Sequence, residues 1–159
     1  MRPLSVVAVP VLVGMVLSAA APAGAQVAKQ CLTPGEVYTE QLVRYGVFLR
    51  EASYACNDMI PGSWKLWAGF NAAYGSRLAQ ETRMRALFFQ RAFPKKWRTT
   101  LAIFDGRLVT YYRHISINKS YCEDVHKKLE AITNSGWGAF TSQSKIVVDQ
   151  IHLDYKTCQ

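Results

Sequence analysis

The sequence predicts an all-α fold, a disulfide-linked up-and-down bundle of four or five helices built from residues 26–159 as a single domain. Three observations carry that expectation. Apolar residues keep helical spacing from Trp97 to Ile132, a capping box stands at Thr33-Pro34-Gly35-Glu36, and four cysteines occur in a chain that opens like an exported protein.

The long apolar series is Trp97, Leu101, Phe104, Leu108, Tyr111, Ile115, Cys122, Val125, Leu129 and Ile132, broken only at Asn118. Steps of three and four place side chains on one face of a helix. The rival reading starts from Asp105-Gly106, a dipeptide that accepts positive φ and sits between two β-prone runs. A hairpin over 97–117, with a C-terminal strand over 145–157, would make the fold α+β. The hairpin leaves no clearly polar face, whereas the helix leaves Arg98, Thr99, Asp105, Arg107, Thr110, Arg113 and His114 off the seam. Ser120-Tyr121-Cys122-Glu123 fits a capping box, so the seam is expected to turn or kink near residues 116–120 and form two helices.

Residues 1–25 read as a cleaved secretory signal peptide. Arg2 precedes an apolar run from Leu4 to Ala20, and Ala23-Gly24-Ala25 is the small-x-small pattern that signal peptidase accepts. The protein is therefore expected in the periplasm or outside the cell, where cysteines pair. The chain is basic, with a formal net charge of +8, and only Arg2 of that charge falls in the leader.

The remaining elements follow in order. The capping box and Pro34 start a first helix expected from Pro34 to Cys56, with Tyr38, Leu42, Tyr45, Leu49, Ala52 and Cys56 on its inner face. Ser63 is the expected cap of a second helix, whose inner face reads Trp67, Phe70, Tyr74, Leu78, Met84 and Phe88 before Pro94. Glycines at 46, 69 and 75 suit close helix packing. Thr133-Asn134-Ser135-Gly136 closes a later helix, and the tail from Trp137 to Cys158 fits either a helix or a strand.

Helix geometry also constrains the disulfides. A helix over residues 34–56 holds its ends roughly 33 Å apart at 1.5 Å per residue, while bridged Cα atoms come within about 7 Å. That excludes Cys31 with Cys56 and hence Cys122 with Cys158. The up-and-down order then selects Cys56–Cys122 and leaves Cys31–Cys158.

Catalytic signatures are missing. No CxxC pair, GxSxG elbow or Gly-rich phosphate loop occurs, and the three histidines are scattered. Glu123-x-x-His126, echoed by Asp149-x-x-His152, has the spacing of carboxylate-bridged metal bundles, yet the neighbouring seam residues turn Glu123 and Asp149 outward. No catalytic residue, metal site or cofactor is expected. The unusual stretch is 83–98, which holds six basic residues, four aromatics and no acid. Arg83, Arg85, Arg91, Lys95, Lys96 and Arg98 are the candidate residues for an anionic partner: an anionic membrane surface, an acidic glycan or an acidic protein. Nucleic acid is not expected of an exported chain. The sequence thus points to a non-enzymatic binding module, the alternative being a metal-assisted enzyme of unknown class using Glu123, His126, Asp149 and His152.

Overall fold

The structure, a computed structural model, describes residues 30–158; the expected signal segment lies outside the described residues. Among the described residues four long helices and a short fifth follow one another: α1 (Pro34–Cys56), α2 (Ser63–Ala92), α3 (Trp97–Arg113), α4 (Lys119–Gln143) and, after a 3-10 turn over Ser144–Val147, α5 (Val148–Asp154). The fold is an all-α disulfide-linked bundle. No hairpin forms over 97–117, where α3 runs through Asp105-Gly106, because its apolar stripe has partners on α1 and α2. Nor is 145–157 a strand. Its alternating residues are wound into the 3-10 turn and α5, and among the described residues Leu32 and Thr157 form a single parallel bridge.

Cross-links between elements fix their directions. Arg91 of α2 reaches Glu36 at the start of α1, whereas Ser63 begins α2 near the far end of α1, so the two run antiparallel. Phe48 meets Tyr112 and Glu51 meets Arg113, which makes α3 parallel to α1. Cys56 bonds Cys122 and Tyr45 meets Gln143, so α4 runs back down. The other disulfide, Cys31–Cys158, joins the two ends of the described chain. Both pairings agree with helix geometry.

α1 packs against every other described element, and that contact explains its burial. From Thr39 to Leu49 only Val47 is not fully buried, although the run contains Thr39, Glu40, Gln41 and Arg44. Reading α1 as a one-faced helix was too narrow: Tyr38, placed on the seam, is 45% exposed, and polar residues are inside. They remain there because each is bonded. Thr39 meets Glu81, Gln41 meets Ser144, and the Tyr45 hydroxyl donates to Gln143 at 2.6 Å. Around Tyr45 a chain of rings links Phe140, Phe70 and Trp137 at centroid distances of 5.0–5.3 Å.

Three local expectations are corrected. Ser63 does not cap α2. Gly62 does, at φ 96°, while the Ser63 hydroxyl bonds the Ile60 carbonyl. α4 is capped by Asn118, whose side chain accepts from the Tyr121 N–H, so its start lies two residues ahead of Ser120. Of the three glycines read as packing positions, Gly46 alone lies hard against a neighbouring helix: a Cβ there would stand 2.8 Å from Leu78 Cδ2, while Gly69 faces open space.

Gly136 closes the first helical segment of α4, as its sequence implies, and a second segment follows at once across a kink. The glycine's φ of 67° and ψ of −150° lie where only glycine sits without strain, and an added Cβ would overlap the Tyr74 hydroxyl. Gly136→Ala should therefore lower unfolding stability by about 1–3 kcal/mol. Gly69→Ala, in an exposed helix interior, should raise it by roughly 0.5–1 kcal/mol. Chemical denaturation of the two variants checks the pair.

Candidate functional site

Pro94 forces a turn between α2 and α3, and the basic stretch wraps around that elbow. Lys95, Lys96 and Arg98 stand there exposed, and no carboxylate lies within ion-pairing distance of them among the described residues. The Arg98 guanidinium lies 4.7 Å over the ring of half-buried Trp97. Arg83 is also exposed but stands about 14 Å up α2 from Ala92, at 1.5 Å per residue.

Arg85 and Arg91 are placed differently. Arg85 is 2% exposed, with its Nε 2.5 Å from Glu40 Oε2, its Nη1 on Asp105, and its guanidinium 5.2 Å over Phe89. Arg91, half-buried, donates to Glu36 at 2.6 Å and to the Cys31 carbonyl at 2.9 Å. The reason is register. The inner face of α2 runs Trp67, Phe70, Tyr74, Leu78, Glu81, Arg85, Phe88 and Ala92 in steps of three and four, so it passes through Arg85 and leaves Met84 49% exposed. Leu87 is likewise 51% exposed, so Met84 and Leu87 form an apolar outer stripe beside Arg83 that leads toward the elbow.

The buried cation belongs to a network at the centre of the molecule. Glu40, 1% exposed, accepts from Arg44 at 2.7 Å and from Arg85. Arg44 also holds Asp154 at 2.6 Å, and the Tyr112 hydroxyl donates to Gln150 at 2.7 Å. Burial works against the charge of Arg44 and Arg85, but Glu40, together with Asp154 at Arg44 and Asp105 at Arg85, outweighs it and raises both pKa values. Burial also raises the phenols of Tyr45, Tyr112 and Tyr155. Tyr155 Oη is buried with no geometric hydrogen-bond partner among the described residues, and the Arg44 guanidinium lies 5.5 Å from the centre of its ring. A cavity of about 380 Å³ opens beside Arg44 and Asp154, between Phe104, Arg107, Tyr111 and Leu153.

The residues weighed for metal chemistry do not converge. Glu123 faces solvent 4.0 Å from Lys119, and Asp149 and His152 are exposed on α5. Among the described residues no three histidine, cysteine or carboxylate side chains gather closely enough to hold an ion. His126 instead contacts the Ser63 hydroxyl at 3.0 Å and Glu130 at 3.6 Å, an order that looks like a nucleophile, base and acid. Proton counting gives another role. The Ile60 carbonyl can only accept, so the single Ser63 hydroxyl hydrogen goes there, and Ser63 accepts from His126 Nδ1. Ser63 is fully buried, and the chain clamps the start of α2 to α4.

A larger open cleft, about 900 Å³, lies at the Cys56–Cys122 end. Its floor is Glu51, 7% exposed, with Oε1 held by Arg50 at 2.6 Å and Oε2 by Arg113 at 2.7 Å. Its walls are exposed Tyr54 and Trp64, packed edge to face at 6.0 Å, and His114. Burial pushes the Glu51 carboxyl up, but hydrogen bonds from Arg113 and Arg50 outweigh it and hold the carboxyl below its ordinary value. A carboxyl depressed in the folded state stabilises the fold above its unfolded pKa, and that stability is lost as pH falls through the folded pKa. Acid unfolding of Glu51→Gln should therefore be less steep than that of the parent below about pH 4.3.

The sequence held a signal for this cleft that went unread. Glu40, Arg44 and Glu51 fall on one line of α1 with Phe48 between the last two, and three charges on a central helix need partners. No protein-family model matches this chain, and no curated protein or solved structure shows significant similarity to it.

Proposed function

We propose that the protein is an exported, non-enzymatic binding module that docks through the α2–α3 elbow on an anionic lipid surface. The observation that carries this reading is the cluster of Lys95, Lys96 and Arg98, exposed and without carboxylate partners among the described residues, at the end of a stripe exposing Met84 and Leu87. Cations meet headgroups while the apolar side chains enter the boundary beneath them, a combination that favours lipid over a soluble polyanion. Export is supported by the leader-like residues 1–25 and by two disulfides. Among the described residues no helix is long and apolar enough to cross a membrane, so attachment would be peripheral.

Sedimentation with vesicles tests the proposal. Binding to anionic vesicles should fall as salt rises, because the Debye length shrinks from about 10 Å at 0.1 M to about 3 Å at 1 M. At about 1 kcal/mol per surface cation, Lys95→Glu with Lys96→Glu should weaken binding on the order of thirtyfold or more. Equal binding to neutral and anionic vesicles, or none at low salt, contradicts it. Capture by an acidic glycan or acidic protein with no vesicle binding replaces the lipid reading.

A further inference from the structure

We propose that the cleft over Glu51 is a second, independent site that binds an acidic saccharide, with a sugar carboxylate on Arg113 and sugar ring faces against Tyr54 and Trp64. The cleft is built rather than incidental. One buried carboxylate fixes a guanidinium from α1 and another from α3, so the two are pre-positioned and carry one positive charge in excess. Arg113 uses its Nε on Glu51, which leaves both terminal nitrogens without a partner among the described residues. Two such N–H groups take a carboxylate through parallel bonds, a match of fork to fork that lysine cannot make.

The walls suit a sugar rather than a lipid tail. Tyr54 is 75% exposed and Trp64 42%, and each joins a broad apolar face to a polar tip, the phenol or the indole N–H. Sugar rings have the complementary form, with C–H faces and hydroxyl edges. His114 Nδ1 lies 2.8 Å from the Thr110 carbonyl, which only accepts, so Nδ1 carries a hydrogen and Nε2 is left for a ligand hydroxyl. The volume of about 900 Å³ sits near the top of the usual ligand range of roughly 300–1,000 Å³ and exceeds one ring. Because the cleft is open, a ligand keeps part of its hydration, which an oligosaccharide tolerates.

The site is separate from the elbow. Arg113 stands at the opposite end of α3 from Trp97, roughly 24 Å away at 1.5 Å per residue. Calorimetry with oligogalacturonate, and with a neutral oligosaccharide of the same length, tests the proposal on the disulfide-intact chain. The acidic sugar should bind and the neutral one should not. Arg113→Gln and, separately, Tyr54→Ala should each weaken binding by about tenfold or more, the cost of losing one charged or stacking anchor. Lys95→Glu with Lys96→Glu should leave it unchanged. Tyr54 is mostly solvent-exposed, so its variant keeps the test valid if Arg113→Gln disturbs the fold. Equal binding of the neutral sugar, no binding of either sugar, parent-like binding by Tyr54→Ala, or loss through the elbow variant would each overturn the proposal.

Discussion

Replacing Cys31 and Cys158 by serine should remove about 5 kcal/mol of stability, and replacing Cys56 and Cys122 about 4 kcal/mol. The difference follows from the loops they close, 127 and 66 residues in sequence separation, because a longer loop leaves the unfolded chain more freedom once it is opened. Domains of this size commonly have only about 5–15 kcal/mol in total. Losing both bridges should therefore bring the protein close to unfolding at room temperature. Denaturant titration with and without reductant measures this. The Cys31–Cys158 bridge also secures the Leu32 to Thr157 pairing, in which the Leu32 N–H donates to Lys156 and the Cys158 N–H to Leu32, so the amides of Leu32 and Cys158 should lose hydrogen-exchange protection first in its variant.

Arg85→Met should cost about 3–5 kcal/mol, because it leaves Glu40 buried with one of its two cations gone. Glu40→Gln should cost a similar amount, since Arg85 and Arg44 would then face each other with Asp105 and Asp154 as their remaining counter-charges. Joining the two substitutions should cost less than the sum of the single effects, as the groups belong to one network. Arg83→Met, two residues from Arg85 but exposed, should change stability by no more than about 0.5 kcal/mol. Equilibrium unfolding of the four variants separates a structural arginine from a surface one.

What was legible in the sequence was local chemistry and long-range geometry. Thr33 and Glu36 form both bonds of the capping box, and α1 runs from Pro34 to Cys56 as that box and the following Asn57-Asp58 imply. The disulfide pairing followed from the rigidity of that helix. Less visible was which elements surround α1. The burial of its 39–49 stretch comes from contacts with α2, α3, α4 and α5, and a helix read alone shows one apolar stripe whether or not other faces are covered. The same limit applies to α3, where Tyr112 is buried and Tyr111 is 56% exposed, a shift of one residue from the expected seam.

The candidate site divided along the same line. Composition identified 83–98 as unusual, but charge count cannot say which arginine turns inward. Position does: Arg85 stands three and four residues before Phe88 and Phe89, and its charge is tolerated there because Glu40 and Asp105 arrive from α1 and α3. The cleft over Glu51 was harder to see. Its parts lie on three helices, at Arg50 to Tyr54, Trp64 and Arg113 to His114, and only the fold brings them together.

Measuring binding and stability on the same two variants tests the central claim, that helix register divides one basic stretch into an inward structural cation and an outward partner surface. Lys95→Glu with Lys96→Glu should lose anionic-vesicle binding while its unfolding midpoint stays near that of the parent. Arg85→Met should lose several kcal/mol of stability, yet bind vesicles as the parent does under conditions where it remains folded. Loss of binding in folded Arg85→Met, or undiminished binding after charge reversal at Lys95 and Lys96, would contradict the account.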